Sequence, residues 1–224
     1  MSGKRGRLFL LILVSSFFVF FQLGKLALLD LDEPRYGEAA REMLVLKDYV
    51  VPYLNFEPRI NKPILFYWAI AIFYKLLGIS EFSTRLPSAL AGLCMVIFLY
   101  LFVTKELGEQ EGFISALILV STPMFLIISR IAIIDALYSV LIFISLCFFW
   151  IYFQNGKFLI PSFLFLGLSM SAKGPAGVCI IFLTVVLFSL TQRSLYYIKK
   201  FFNPLGIMIF LIFGFFWYLL LISR

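Results

Sequence analysis

Histidine is absent from this chain of 224 residues. That removes the commonest metal ligand and the commonest general base, so any catalysis rests on Asp, Glu, Lys, Arg or Tyr. Charge is scarce too: 14% of residues are charged, where an ordinary soluble domain carries roughly 25%. Cysteine is rare. Cys94, Cys147 and Cys179 all sit inside apolar runs, where they read as small buried side chains, and their spacing offers neither a disulfide framework nor a zinc cluster. Strand-like alternation is missing as well. In its place, apolar runs of about 16–22 residues recur. With 62% hydrophobic residues, 28 Phe and a mean hydropathy of +1.03, there is more apolar side chain than one soluble core could hide. The composition implies an all-α, polytopic helical membrane protein and leaves no room for a water-soluble domain.

The net charge of +7 is not a nucleic-acid signal, because much of it lies at helix ends, where basic residues orient a membrane chain. Lys4, Arg5 and Arg7 precede the first apolar run. The run is too long for the apolar core of a signal peptide and no small-residue cleavage site follows, so we read an uncleaved first span with a cytoplasmic N-terminus.

Apolar helices are expected at 8–29, 64–79, 86–103, 113–128, 136–153, 158–172, 176–191 and 204–222. The run at 64–79 is the doubtful one. Lys62 and Pro63 stand at its start and Lys75 inside it, which suits an interfacial or re-entrant helix. If it stays on the outer face, Lys105, Lys157, Arg193, Lys199 and Lys200 fall on the cytoplasmic side, as the positive-inside rule prefers. About seven spans result, in a single module over 1–224, with residues 30–85 as one long external loop.

That loop is organised. In LDLDEPRYGEAAREM, residues 29–43, seven of fifteen residues are charged. Pro34 suits a first helical turn, with Asp32 and Glu33 placed to cap it. Tyr36, Ala40, Met43 and Leu44 share one side of the helix, while Arg35, Glu38, Arg41 and Glu42 lie elsewhere around it. This is an amphipathic helix suited to the bilayer surface. Pro52, Pro58 and Pro63 then punctuate an irregular crossing to the second surface helix.

Four polar constellations stand where lipid resists them. Asp30, Asp32 and Glu33 repel one another and favour a cation or cationic ligand, or else they are a cap and solvated acids. RINKP, 59–63, is a phosphate site at a helix start or a set of snorkelling bases. SRIAIIDA, 129–136, places Arg130 and Asp135 between two spans, as a functional pair or a structural one. SAKGPAG, 171–177, puts Lys173 at a helix break. In the seven-span arrangement all four are external. Carboxylates and cations then meet at one water–lipid boundary, as a lipid-linked sugar phosphate requires.

The motifs DEPRYGEAAREM, NKPILFYW, RLPSALAGL, SRIAIIDAL and AKGPAGV follow the order seen in bacterial polyprenyl-phosphate-sugar glycosyltransferases. The chain resembles these GT-C-fold enzymes, which include the lipid A aminoarabinose transferases and, more distantly, the protein O-mannosyltransferases. The resemblance runs from the first span to the AKGP turn and covers an N-terminal module; the family's C-terminal part is expected to lie outside this chain. It implies a bacterial inner-membrane enzyme with an external, periplasmic active site. The donor is an undecaprenyl-phosphate-linked sugar, and the acceptor is lipid A or another glycan. It matches Asp32 and Asp135 to the family's acids and Lys62 to its phosphate-holding lysine. Arg130, Glu33, Arg35, Tyr36 and Lys173 join Lys62 as expected substrate-binding residues. Asn61 departs from the family's frequent Glu. With no histidine, the oxygen ligands Asp32, Glu33 and Asp135 favour Mg²⁺ or Mn²⁺ over zinc. Attack by an acceptor activated by a carboxylate would invert the anomeric centre. The alternative is a non-catalytic flippase or scaffold for lipid-linked sugars, which needs the phosphate-binding cations but no base.

Overall fold

The structure, a computed structural model, describes residues 2–29 and 31–224. Asp30, one of the three clustered acids, lies outside the described residues. The chain forms two compact units, Met1–Pro58 with Phe66–Val140, and Arg59–Leu65 with Leu141–Arg224.

The first unit begins with α1 (Ser2–Phe20), and α2 (Asp32–Leu46) follows an irregular turn. Lys47 closes α2 in the left-handed region at φ 55°. A hairpin of β1 (Tyr53–Leu54) and β2 (Glu57–Pro58) comes next, the one departure from an all-helical fold among the described residues. Asn55 and Phe56 both have positive φ, 56° and 62°, as a two-residue type I′ turn requires. Then come α3 (Leu65–Leu77), α4 (Glu81–Glu106), α5 (Glu109–Ser121) and α6 (Pro123–Arg130). Ser80 and Ser83 form a reciprocal capping box that starts α4. The 113–128 run was expected as one helix. It breaks at Thr122–Pro123 with a 68° bend, because proline cannot donate the helical hydrogen bond. Leu11, Val96, Tyr100, Ala116 and Val120 pack α1, α4 and α5 together. Gly92 lets α4 approach α6 so closely that any Cβ there would collide with the Ser129 side chain.

The second unit contains most of α7 (Ile134–Asn155), then α8 (Leu159–Lys173), α9 (Ala176–Thr191), α10 (Tyr196–Phe201) and α11 (Pro204–Ile222). Its core is aromatic. Phe149, Phe153, Phe163 and Phe201 cluster with Leu166, Ile181 and Val185, and the Phe149 and Phe163 rings meet edge to face at 4.9 Å. Ser171 donates to the Phe213 carbonyl at 2.6 Å, tying α8 to α11.

Among the described residues, α4, α7 and α11 are long and apolar enough to cross a membrane, and the bent pair α5–α6 makes four if it is one span. This is fewer than the seven expected from the sequence. The first span ends early, at Phe20, and α8 and α9 have 15 and 16 residues, short of the roughly 20 that a hydrocarbon core asks for. At 13 residues α3 is shorter still.

Candidate active site

The polar architecture of the first unit centres on Glu33 and Arg85. Glu33, in the first turn of α2, is 1% exposed, and Arg85, in α4, is 3% exposed. Arg85 Nε and Nη2 donate to the two Glu33 carboxylate oxygens, each at 2.9 Å, in a bidentate pair. The guanidinium's remaining donors reach the carbonyls of Leu23, Leu26 and Ala27 at 2.8–2.9 Å. The carboxylate also accepts the backbone N–H of Leu29 at 2.6 Å and of Ala132 at 2.5 Å. One ion pair thus fastens the end of α1, the start of α2, α4 and the 131–133 connection. Ser88, one turn beyond Arg85, reinforces the junction by donating to the Ile133 carbonyl. Burial pushes the Glu33 carboxyl up, but Arg85 and the Ala132 and Leu29 N–H groups outweigh it and hold it below the ordinary carboxylate value.

Asp32, the neighbour of Glu33, faces the other way. Its side chain is 57% exposed, and it pairs loosely with Arg35 at 3.9 Å. The residue before α2 is Leu31, with no side-chain cap, so Asp32 and Glu33 do not cap the helix as expected. They occupy its first turn, where the helix dipole favours negative charge. Asp135 stands in the first turn of α7, half-buried, three residues after the Ala132 N–H that Glu33 holds. The junction therefore brings the Asp32 end of α2 to the segment that leads into Asp135. Arg130, the last residue of α6, donates to the carbonyls of Phe18 and Phe21 at 2.5 and 2.8 Å. Tyr36 is 4% exposed and packs edge-on against the Phe66 ring at 5.1 Å, inside the contact between α2 and α3. Lys62 and Lys173 belong to the second unit. Lys62 is half-buried three residues before α3, and Lys173 ends α8 ahead of Gly174, whose φ is 97°.

Two residues escaped the sequence reading. Arg85 was visible only as the start of the RLPSALAGL motif, yet a lone arginine leading an apolar run asks for a buried partner. Glu42 was assigned to the polar side of α2. It is fully buried and accepts the Phe56 N–H at 2.9 Å, fastening the hairpin turn to the helix.

Both Glu33 oxygens are committed to Arg85 and to backbone donors, and no group of three His, Cys, Asp or Glu converges among the described residues. Glu33 is thereby occupied as a ligand, which leaves Asp32 and Asp135 as the oxygen donors of the expected set.

A profile of the dolichyl-phosphate-mannose-protein mannosyltransferase family matches residues 61–218. An uncharacterised protein of Aquifex aeolicus (strain VF5) is 35% identical over 222 residues, covering 97% of this chain and 49% of the relative. The undecaprenyl phosphate-alpha-4-amino-4-deoxy-L-arabinose arabinosyl transferase of Wigglesworthia glossinidia brevipalpis is 30% identical over 185 residues, covering 78% of this chain and 33% of that protein. The crystal structure of ArnT from Cupriavidus metallidurans bound to undecaprenyl phosphate superposes with a TM-score of 0.91 at 23% identity, covering 98% of this chain and 42% of that one. The fold is shared almost throughout. The chain spans half or less of the length of these relatives.

Proposed function

The chain belongs to the dolichyl-phosphate-mannose-protein mannosyltransferase family, and from that premise we propose that it is the membrane module of an inverting glycosyltransferase. The donor is a sugar on undecaprenyl phosphate, and the acceptor is lipid A or another envelope glycan. The relatives named for arabinosyl transfer and the shared fold support this reading. The observation that carries it is the contrast between adjacent acids: Glu33 is locked in a buried junction, while Asp32 is held beside it, exposed and only loosely paired.

Asp32 deprotonates the acceptor hydroxyl, which attacks the anomeric carbon opposite the phosphate through an oxocarbenium-like transition state. The bond to phosphate breaks, and Lys62 stabilises the charge that develops there, so a phosphate leaving group requires no separate general acid. Asp135 orients the acceptor, with Arg35 beside Asp32 and Lys173 as a further cation. Glu33 and Tyr36 act from the interior by fixing α2. Arg130, expected beside Lys62 on the donor phosphate, is pinned to the Phe18 and Phe21 carbonyls, and this reading leaves the donor phosphate to Lys62. A requirement for Mg²⁺ or Mn²⁺ would rest on Asp32 and Asp135 without Glu33. The proposed setting is a bacterial inner membrane, with about seven crossings, a cytoplasmic N-terminus and this site on the periplasmic face. The basic residues of 192–200 motivate that orientation.

The test is Asp32→Asn in the full-length protein. General base catalysis contributes about 10²–10⁴-fold, so the single-turnover rate with donor bound should fall by that factor while donor affinity holds. Unchanged transfer by Asp32→Asn would overturn the reading and leave a carrier or scaffold.

A further inference from the structure

The 68° break between α5 and α6 opens a crook against α1. A cavity of about 530 Å³ fills it, lined almost wholly by apolar side chains such as Val14, Phe18, Ile114, Leu117 and Ile118. Leu126 lines this cavity and also a second one of about 280 Å³, whose walls include Arg130. The two cavities thus adjoin at Leu126, the larger one apolar and the smaller one bordered by Arg130. Arg85 also borders the second cavity, but Glu33 neutralises it. Arg130 differs. Two of its nitrogens are pinned to the Phe18 and Phe21 carbonyls, and among the described residues no carboxylate pairs with it. The carbonyls orient the guanidinium without cancelling its charge.

We infer that this groove binds an anionic glycerophospholipid, with an acyl chain in the crook of α5 and α6 and the headgroup phosphate on Arg130. An aliphatic chain matches the slot, and a planar guanidinium with donors to spare matches a phosphate. The inference rests on the glycosyl-transfer reading only in leaving the donor phosphate to Lys62, which the other compact unit carries. A lipid held here braces the 130–135 segment, because Ala132 within it is already fixed to Glu33.

The test uses the full-length protein in phosphatidylcholine nanodiscs containing a trace of acyl-diazirine probe. The probe is either phosphatidylglycerol or phosphatidylcholine, and crosslinks are mapped by mass spectrometry. The glycerol probe should label residues 114–126 about tenfold more than the choline probe, the scale of one charge-assisted contact. Arg130→Gln should abolish that preference and Arg130→Lys should restore part of it. Leu117→Trp, which fills the slot, should suppress labelling by both probes in protein that keeps its size-exclusion profile. Equal labelling by the two probes, a preference that survives Arg130→Gln, labelling undiminished in Leu117→Trp, or an unlabelled groove filled by a further segment of the longer chain would each overturn the proposal. None of these readouts depends on glycosyl transfer, so their failure is distinct from failure of the enzymatic reading.

Discussion

The two compact units divide their charge in opposite ways. All 12 carboxylates of the sequence fall within Met1–Pro58 and Phe66–Val140. The other unit has none; its charged residues are all cations, namely Arg59, Lys62, Lys157, Lys173, Arg193, Lys199, Lys200 and Arg224. Five ion pairs, Arg7–Glu109, Asp32–Arg35, Glu38–Arg41, Glu33–Arg85 and Lys105–Glu106, lie in the first unit, whereas an aromatic cluster forms the core of the second. Within these 224 residues a carboxylate base can come only from the first unit. The second can contribute cations to a phosphate but no base. A reaction between an acceptor hydroxyl and a lipid phosphate needs both kinds of group.

The sharpest way to break this contrast is to unpair the first unit's junction. Arg85→Met should destabilise it by about 3–5 kcal/mol, because Glu33 is then left buried without its partner. Adding Glu33→Gln should recover much of the loss, since the two residues form one interaction. Thermal unfolding of the single and double variants in detergent checks both expectations. Equal stability of Arg85→Met and the parent would show that the pair holds nothing together.

Next in size is the second unit's lysine. Lys62→Ala removes a charge-assisted contact of about 1.5–3 kcal/mol, which should weaken donor binding by one to two orders of magnitude. Turnover at saturating donor should suffer less than it does in Asp32→Asn. Calorimetric donor titration beside single-turnover rates separates the two. Equal loss of donor binding in both variants would make Asp32 structural.

Acid sharpens the comparison further. The Glu33 carboxyl is held below its ordinary value of about 4.5. The stability it contributes is therefore complete above that pH and is lost as pH falls through the lower, folded value. The first unit should loosen in strong acid, while the second, which has no carboxylate, should not respond. Hydrogen exchange by mass spectrometry across an acid titration reads the two units apart. The smallest effect belongs to the exposed pair of Asp32 and Arg35. Arg35→Ala should cost less than about 1 kcal/mol of stability, measured by the same thermal unfolding.

Some of this was legible in the sequence. The helices at 176–191 and 204–222 stand where apolar runs flanked by prolines put them, at Ala176–Thr191 and Pro204–Ile222. Pro34 marked the first turn of α2, and the pairing of Tyr36 with Ala40 and Met43 marked its buried side. The end of α1 was not legible. The apolar run continues to residue 29, but the helix stops at Phe20, and carbonyls from Phe18 to Ala27 are claimed by Arg85 and Arg130. Those partners lie 58 or more residues away, beyond the reach of any local pattern. Glu42 was missed for the same reason, since its partner is the turn at Phe56. At the site, residue types and order pointed to the acids, but only the fold separates Asp32, which is exposed, from Glu33, which is buried.

The Glu33 junction also sets a timetable for biogenesis. When Glu33 has just been added to the chain, Arg85 is still 52 residues and Ala132 99 residues from being synthesised. Until both arrive, the carbonyls after α1 and the Glu33 carboxylate have only water or lipid headgroups for partners. The first unit therefore closes late, once α6 is in place, and a nascent chain arrested before Ala132 presents an open, protease-sensitive α2. Such long-range closure is slow by nature, and it makes the 130–135 segment the latch that ends assembly of this junction.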